Sequence, residues 1–99
     1  MSADRDRAWD AYAEAEQKYL QSLVDQAPRD TLIAAAEEAR DTATTVRETA
    51  FRDIQAAEQG DDDDAWSVAA GECDRAELLA TLWERILAAY RGKAIRAEP

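Results

Sequence analysis

The C-terminal third of the chain carries the longest regular pattern of apolar residues. Nine of them follow one another at alternating steps of three and four: Trp66, Ala69, Cys73, Ala76, Ala80, Trp83, Leu87, Tyr90 and Ala94. This spacing places all nine on one face of a single helix. Between residues 78 and 90 a second row, made of Leu78, Leu79, Leu82, Ile86 and Ala89, widens the stripe. A helix that is apolar over so much of its circumference needs more than one partner to cover it.

Two further helical patterns precede this one. Aromatic and aliphatic residues recur with the helical period over residues 3–26, and a face made mostly of alanine recurs over residues 29–59. Pro28 suits the first turn of the second helix, Asp30 suits its N-cap, and Gly60 suits its C-cap. The third helix is predicted over residues 62–91, with a frayed tail at 93–99. Gly71, inside that helix, marks a candidate kink, break or close helix crossing.

The predicted fold is all-α, a single domain over residues 1–99. Both connections are short, so consecutive helices are expected to be antiparallel neighbours in an elongated up-down-up three-helix bundle. The chain is 46% apolar, but much of that is alanine, which buries little area per residue. We therefore expect the thin core to be completed by homodimerisation.

The net negative charge of the chain narrows the range of expected binding partners. The formal net charge is −10, and residues 60–77 hold seven acidic residues and one basic residue. Such a surface repels phosphate backbones and anionic lipids, which argues against direct binding to nucleic acid or membrane. It leaves a basic protein partner as the expectation. An acidic inhibitor that imitates nucleic acid toward a DNA- or RNA-binding protein is an alternative.

The compartment is expected to be the cytoplasm. Cys73 is the single cysteine, so no internal disulfide can form. No apolar stretch approaches the roughly 20 residues of a membrane span, and residues 1–7 lack the apolar core of a signal peptide. Cys73 itself fits a small buried apolar residue, with a disulfide between two subunits as the alternative.

Candidate chemistry is limited to carboxylates. The chain has no histidine and no Gly-rich phosphate loop, and we expect no cofactor. Glu37, Glu38 and Asp41 form an E-E-x-x-D cluster, and Asp61 and Asp64 form a later D-x-x-D pair. This arrangement resembles that of the all-α nucleoside-triphosphate pyrophosphohydrolases of the MazG type. In those enzymes an E-E-x-x-E helix and a later E-x-x-D pair hold magnesium ions.

The resemblance implies a magnesium-dependent nucleotide pyrophosphohydrolase in which those five carboxylates are the metal ligands. The competing interpretation of the same residues is a solvated helix face and a helix cap. The main prediction is a non-enzymatic protein–protein interaction module that self-associates through its C-terminal helix. Its acidic patch for a basic partner is Asp61, Asp62, Asp63 and Asp64. Its predicted assembly surface consists of Leu78, Leu79, Leu82, Trp83, Ile86, Leu87 and Tyr90.

Overall fold

The molecule is a bundle of three helices. A computed structural model describes the backbone of residues 3–96 and the side chains up to residue 92. The helices are α1 (Ala3–Val24), α2 (Arg29–Gly60) and α3 (Asp63–Arg96), and this described part of the chain contains no strand. The predicted all-α three-helix bundle is confirmed. Helix α3 continues past its predicted end at residue 91 to Arg96, and residues 97–99 of the predicted tail lie outside the described residues.

Helix α1 ends in a left-handed turn without a glycine. Gln26 has a φ of 53°, its N–H donates to the Leu23 carbonyl at 3.1 Å, and the Ala27 N–H donates to the Ser22 carbonyl at 2.9 Å. This pair of bonds is the Schellman motif, which satisfies carbonyls that the helix itself leaves free. A non-glycine residue in this conformation carries a steric cost.

Helix α2 ends in the same motif, one residue later than predicted. Gly60 is the last helical residue, and Asp61 takes the left-handed conformation with a φ of 56°. The Asp61 N–H donates to the Glu58 carbonyl at 3.3 Å, and the Asp62 N–H to the Ala57 carbonyl at 3.0 Å. At its other end, α2 begins directly after Pro28, and no side chain caps it there. The predicted cap, Asp30, lies inside the first turn.

Helix α2 packs between α1 and α3, and its alanine residues allow the backbones to come close together. Its backbone lies close to both neighbours, whereas within residues 3–96 no Cα atom of α1 comes within 8 Å of one in α3. Small side chains on α2 allow this close approach: Ala35, Ala36, Ala39, Ala43, Ala50 and Ala57 are all buried. The result is long and thin, with principal extents of 57 × 26 × 13 Å and a radius of gyration of 16.3 Å. A compact chain of this length has about 13 Å.

Long aromatic side chains connect α1 to α3. The Trp83 indole N–H donates to the Tyr12 hydroxyl at 2.9 Å, and the Tyr19 and Tyr90 hydroxyls lie 2.8 Å apart. The Tyr19 ring meets the Trp83 ring edge to face, with centroids 4.9 Å apart. Edge-to-face pairs of this kind add stability beyond their buried area.

Gly71 neither breaks α3 nor marks a close crossing. The helix runs through it without interruption. Among the described residues, no atom beyond its neighbours and its own helix backbone lies within 4 Å of the position a Cβ would take. The expectation of a helix break or a packing role at Gly71 is therefore wrong.

Candidate interaction surfaces

The seven residues of the predicted assembly surface occupy different environments. Leu78 and Leu82 are 72% and 50% exposed, and Leu79, Ile86 and Tyr90 are half-buried against the core. Trp83 and Leu87 are buried inside the single chain, which corrects their assignment to the surface. The reason is the size of the α1 side chains, because Tyr12 and Tyr19 cover the part of α3 that carries Trp83.

Five apolar residues of α3 that stay at least partly accessible form one row, whereas exposed Trp66 and Val68 lie nearer the start of the helix. We call Leu78, Leu79, Leu82, Ile86 and Tyr90 the apolar strip. They follow at helical spacing, so the strip runs along one side of α3 for about 18 Å.

A second exposed apolar group lies at the end of α1. Leu20, Leu23 and Val24 are 46%, 44% and 75% exposed. Leu20 directly follows Tyr19, whose hydroxyl meets that of Tyr90 at the end of the apolar strip. Helical periodicity does not identify these residues as surface, because it assigns them to the inward side of α1.

The acidic patch is a helix junction. Asp61 directly follows α2, and Asp62 directly precedes α3, where its Oδ1 accepts the Ala65 N–H at 3.1 Å. Asp63 and Asp64 lie in the first turn of α3, where carboxylates complement the positive end of the helix dipole. All four residues are exposed. Their local role is therefore capping, and their charge remains available to a partner.

The five carboxylates of the proposed metal site do not meet. Helix α2 is continuous from Asp41 to Gly60, so the two halves of the cluster lie about 30 Å apart. Within the described residues, no group of three or more acidic or cysteine side chains is placed to hold a metal ion. The first three carboxylates instead face cations, in the pairs Glu37–Arg91, Glu38–Lys18 and Asp41–Arg40. The arrangement implied by the family resemblance is therefore not found.

A buried arginine joins all three helices. Arg5 of α1 is 7% exposed, and its Nη1 lies 2.9 Å from Asp53 Oδ2 of α2. Its Nε lies 2.6 Å from Glu72 Oε2 of α3. The other Glu72 oxygen accepts the Trp9 indole N–H at 3.0 Å, and the Arg75 guanidinium lies 5.8 Å from the centre of the Trp9 ring.

The amino-acid sequence contains a signal for this cluster, although the apolar pattern alone does not predict it. Arg5 lies seven positions before Tyr12, and therefore on the inward face of α1. A basic residue inside an apolar stripe is expected to find carboxylate partners when it is buried. The helical period alone does not say which carboxylates these are.

Burial shifts the pKa of several side chains without creating a reactive group. Desolvation, together with the Tyr90 hydroxyl, raises the pKa of Tyr19 to about 12. Desolvation also raises the pKa of Tyr12. The pKa of Cys73 is raised by its partial burial and then by nearby Asp74 and Glu77, which keeps the thiol protonated. Cys73 is thus a small, half-buried packing residue and not an activated nucleophile.

Comparison of the chain with protein-family models, with curated proteins and with solved structures gives no match. Among the helices described between residues 3 and 96, none combines the length and the apolar character that crossing a bilayer requires. The function must therefore be argued from the surfaces themselves.

Proposed function

We propose that this protein is a cytoplasmic, non-enzymatic interaction module that self-associates through α3 and presents its acidic junction to a basic partner. The observation that carries the proposal is the apolar strip, with Leu78 and Leu82 exposed beside half-buried Leu79 and Ile86. Contiguous exposed apolar residues on a small protein are typical of an interaction site.

The composition of the core favours a second copy of this chain as the partner that covers the apolar strip. Most of the buried apolar residues are alanines, and the large fully buried side chains are Leu87 and Val46. A stable dimer buries about 800 Å² per partner. That is roughly an eighth of the accessible surface of 6743 Å², and the strip together with the exposed end of α1 offers apolar area for it.

The acidic junction supports the second half of the proposal. Asp61 to Asp64 are exposed and lie at one end of an elongated molecule with a net charge of −10. Clustered charge of one sign speeds the encounter with an oppositely charged partner and discriminates against acidic ones.

Self-association is tested by measuring mass with multi-angle light scattering at micromolar concentrations. We expect a species of twice the chain mass of 11.0 kDa. Mass must be measured directly, because an elongated monomer elutes early from a gel-filtration column. A species of 11.0 kDa at every concentration would contradict self-association.

Leu82→Asp and Phe51→Asp form a matched pair of variants. The two residues are similarly exposed, at 50% and 48%, but Phe51 lies on α2 and away from the strip. We expect Leu82→Asp to weaken the dimer about tenfold or more, because it places a charge in the centre of the interface. Phe51→Asp should leave the mass unchanged, and equal effects of the two variants would place the interface elsewhere.

A further inference from the structure

A groove opens at the end of the bundle where α1 begins. The Arg5–Asp53 ion pair aligns the first turn of α1 with residue 53 of α2, whereas α2 continues to Gly60 and α3 starts at Asp63. The α2–α3 hairpin therefore extends past the start of α1 by about 8 Å. The space left between the three helices has a volume of about 720 Å³.

The floor of this groove is apolar and made of small residues. Ala56 and Ala57 of α2 line one side, and Ala65 and Val68 of α3 line the other. Val68 is 56% exposed, which leaves a branched apolar side chain without full cover. Along the rest of the molecule, small residues of α2 and α3 accommodate large side chains of α1. The groove adjoins the first residues of α1, so the same small-residue packing surface continues beyond that helix.

The rim of the groove is negatively charged. Four carboxylates line it: Asp4, Asp53, Asp62 and Asp64. Among the described lining residues Arg5 is the single cation, and it pairs with Asp53 and Glu72, while Arg7 pairs with the rim carboxylate of Asp4. An occupant with basic side chains at its edges would therefore complement the rim, whereas an acidic occupant would be repelled.

We propose that this groove docks a short amphipathic helix of a basic partner protein, with large apolar side chains on the alanine floor and Lys or Arg against the rim. The proposal rests on the second part of the proposed function, binding to a basic partner. It specifies where that partner binds and what chemistry the partner has. The helix-in-groove mode suits a concave site whose floor is apolar.

The probe is a blocked peptide of about 11 residues with Leu at helical spacing and Lys at all other positions. One comparison peptide carries the same residues in strict alternation. The other keeps the helical spacing of Leu and carries Glu in place of Lys. Binding is measured by fluorescence anisotropy at constant ionic strength, and the site is mapped by amide NMR shifts on the unaltered protein. We expect the helical Lys peptide to bind at least tenfold more tightly than either comparison peptide, with the largest shifts at Ala56, Ala65 and Val68.

A matched pair of double variants distinguishes binding in the groove from general attraction to the net negative charge of the protein. Asp4→Asn with Asp64→Asn removes two rim carboxylates, and Asp6→Asn with Asp63→Asn removes two that do not line the groove. Both pairs lie in the first turns of α1 and α3, so the two double variants lose the same formal charge and the same number of helix-end acids; the rim pair additionally loses the exposed ion pair of Asp4 with Arg7. We expect the rim pair to weaken binding at least fivefold and the control pair less than twofold.

Equal weakening by the two pairs, equal binding of the Glu peptide, or shifts centred on Leu82 would overturn the proposal. The NMR map does not depend on the variants, so a variant that folds poorly leaves the proposal testable. Mass measured by light scattering reports self-association separately, so a failure of the groove proposal is distinguishable from a failure of the dimer.

Discussion

At the scale of single residues, Arg5 is the side chain that joins all three helices through ion pairs. It is a buried cation held by carboxylates from two other helices, and one of these, Glu72, also binds the Trp9 indole. Burying charge is costly unless it is paired, so this cluster contributes more to the alignment of the helices than to net stability. It sets the position of α1 along the α2–α3 hairpin, and hence the size of the groove.

We predict that Arg5→Met lowers the free energy of unfolding by about 2–3 kcal/mol. Methionine keeps the apolar stem, but the change leaves Asp53 and Glu72 facing each other without a cation. The side chains of these carboxylates are 25% and 27% exposed, which keeps the loss below the roughly 3–5 kcal/mol expected for a fully buried pair. Urea unfolding measures the change.

Arg7→Met is the control for this prediction. Arg7 pairs with Asp4 at the surface, where both side chains are 76% exposed, and such pairs contribute less than about 1 kcal/mol. Similar losses for Arg5→Met and Arg7→Met would mean that the cluster does not align the helices.

At the scale of the helices, most predicted ends differ from the actual ends by no more than two residues, and the end of α3 differs by five. The left-handed position after α1 is occupied by Gln26 and the one after α2 by Asp61, although Gly60 stands immediately before the latter. The αL conformation belongs to the residue whose N–H reaches back to the last turn, and packing decides how far each helix continues. Gly60 and Gly71 are consequently both inside helices, where glycine is unfavourable.

We predict that Gly71→Ala raises the free energy of unfolding by about 1 kcal/mol. Alanine restricts the unfolded chain more than glycine does, and in the folded chain the added methyl group meets no neighbour within 4 Å. Thermal unfolding followed by circular dichroism measures the gain.

The reverse change in the same helix is the control. Ala88 is exposed on α3, so Ala88→Gly should lower stability by about the same amount. A loss of stability with Gly71→Ala would show that the glycine has a packing role that the structure does not contain.

At the scale of the whole molecule, one alanine-rich helix separates two helices that touch only through long side chains. Tyr12, Tyr19, Trp83 and Tyr90 make the contacts across this gap in the middle of the bundle. The wide spacing of α1 and α3 leaves the apolar strip accessible along one side. Helix α1 begins about 8 Å short of the end of the α2–α3 hairpin, which leaves the groove open at that end. Both proposed binding sites thus follow from the same arrangement.

We predict that alkaline pH destabilises the bundle through Tyr19. Its pKa in the folded chain is about 12, above the ordinary value of 10.0, so the unfolded state loses its proton first as pH rises. The stability contributed by the neutral phenol is intact below pH 10 and is lost between about pH 10 and pH 12. We expect a loss of about 1–2 kcal/mol by pH 11.5, measured by urea unfolding over a pH series.

The matched variant is Tyr19→Phe. It removes the ionisable hydroxyl and keeps the ring against Trp83, so its stability should fall less steeply with pH than that of the unaltered protein. An alkaline loss of the same size in both proteins would assign the effect to other groups.

The sequence by itself determined the three helices, the acidic run between α2 and α3 and the alanine-rich face of α2, because each depends on spacing or residue type along the chain. It indicated that α3 is apolar over much of its circumference, but not that Trp83 is covered by Tyr12 and Tyr19 or that Leu87 is buried within the single chain. Only the tertiary structure decided which apolar residues remain exposed and which carboxylates hold Arg5. The physical reason is that helical periodicity specifies a face, whereas burial and ion pairing depend on which side chains of other helices reach that face.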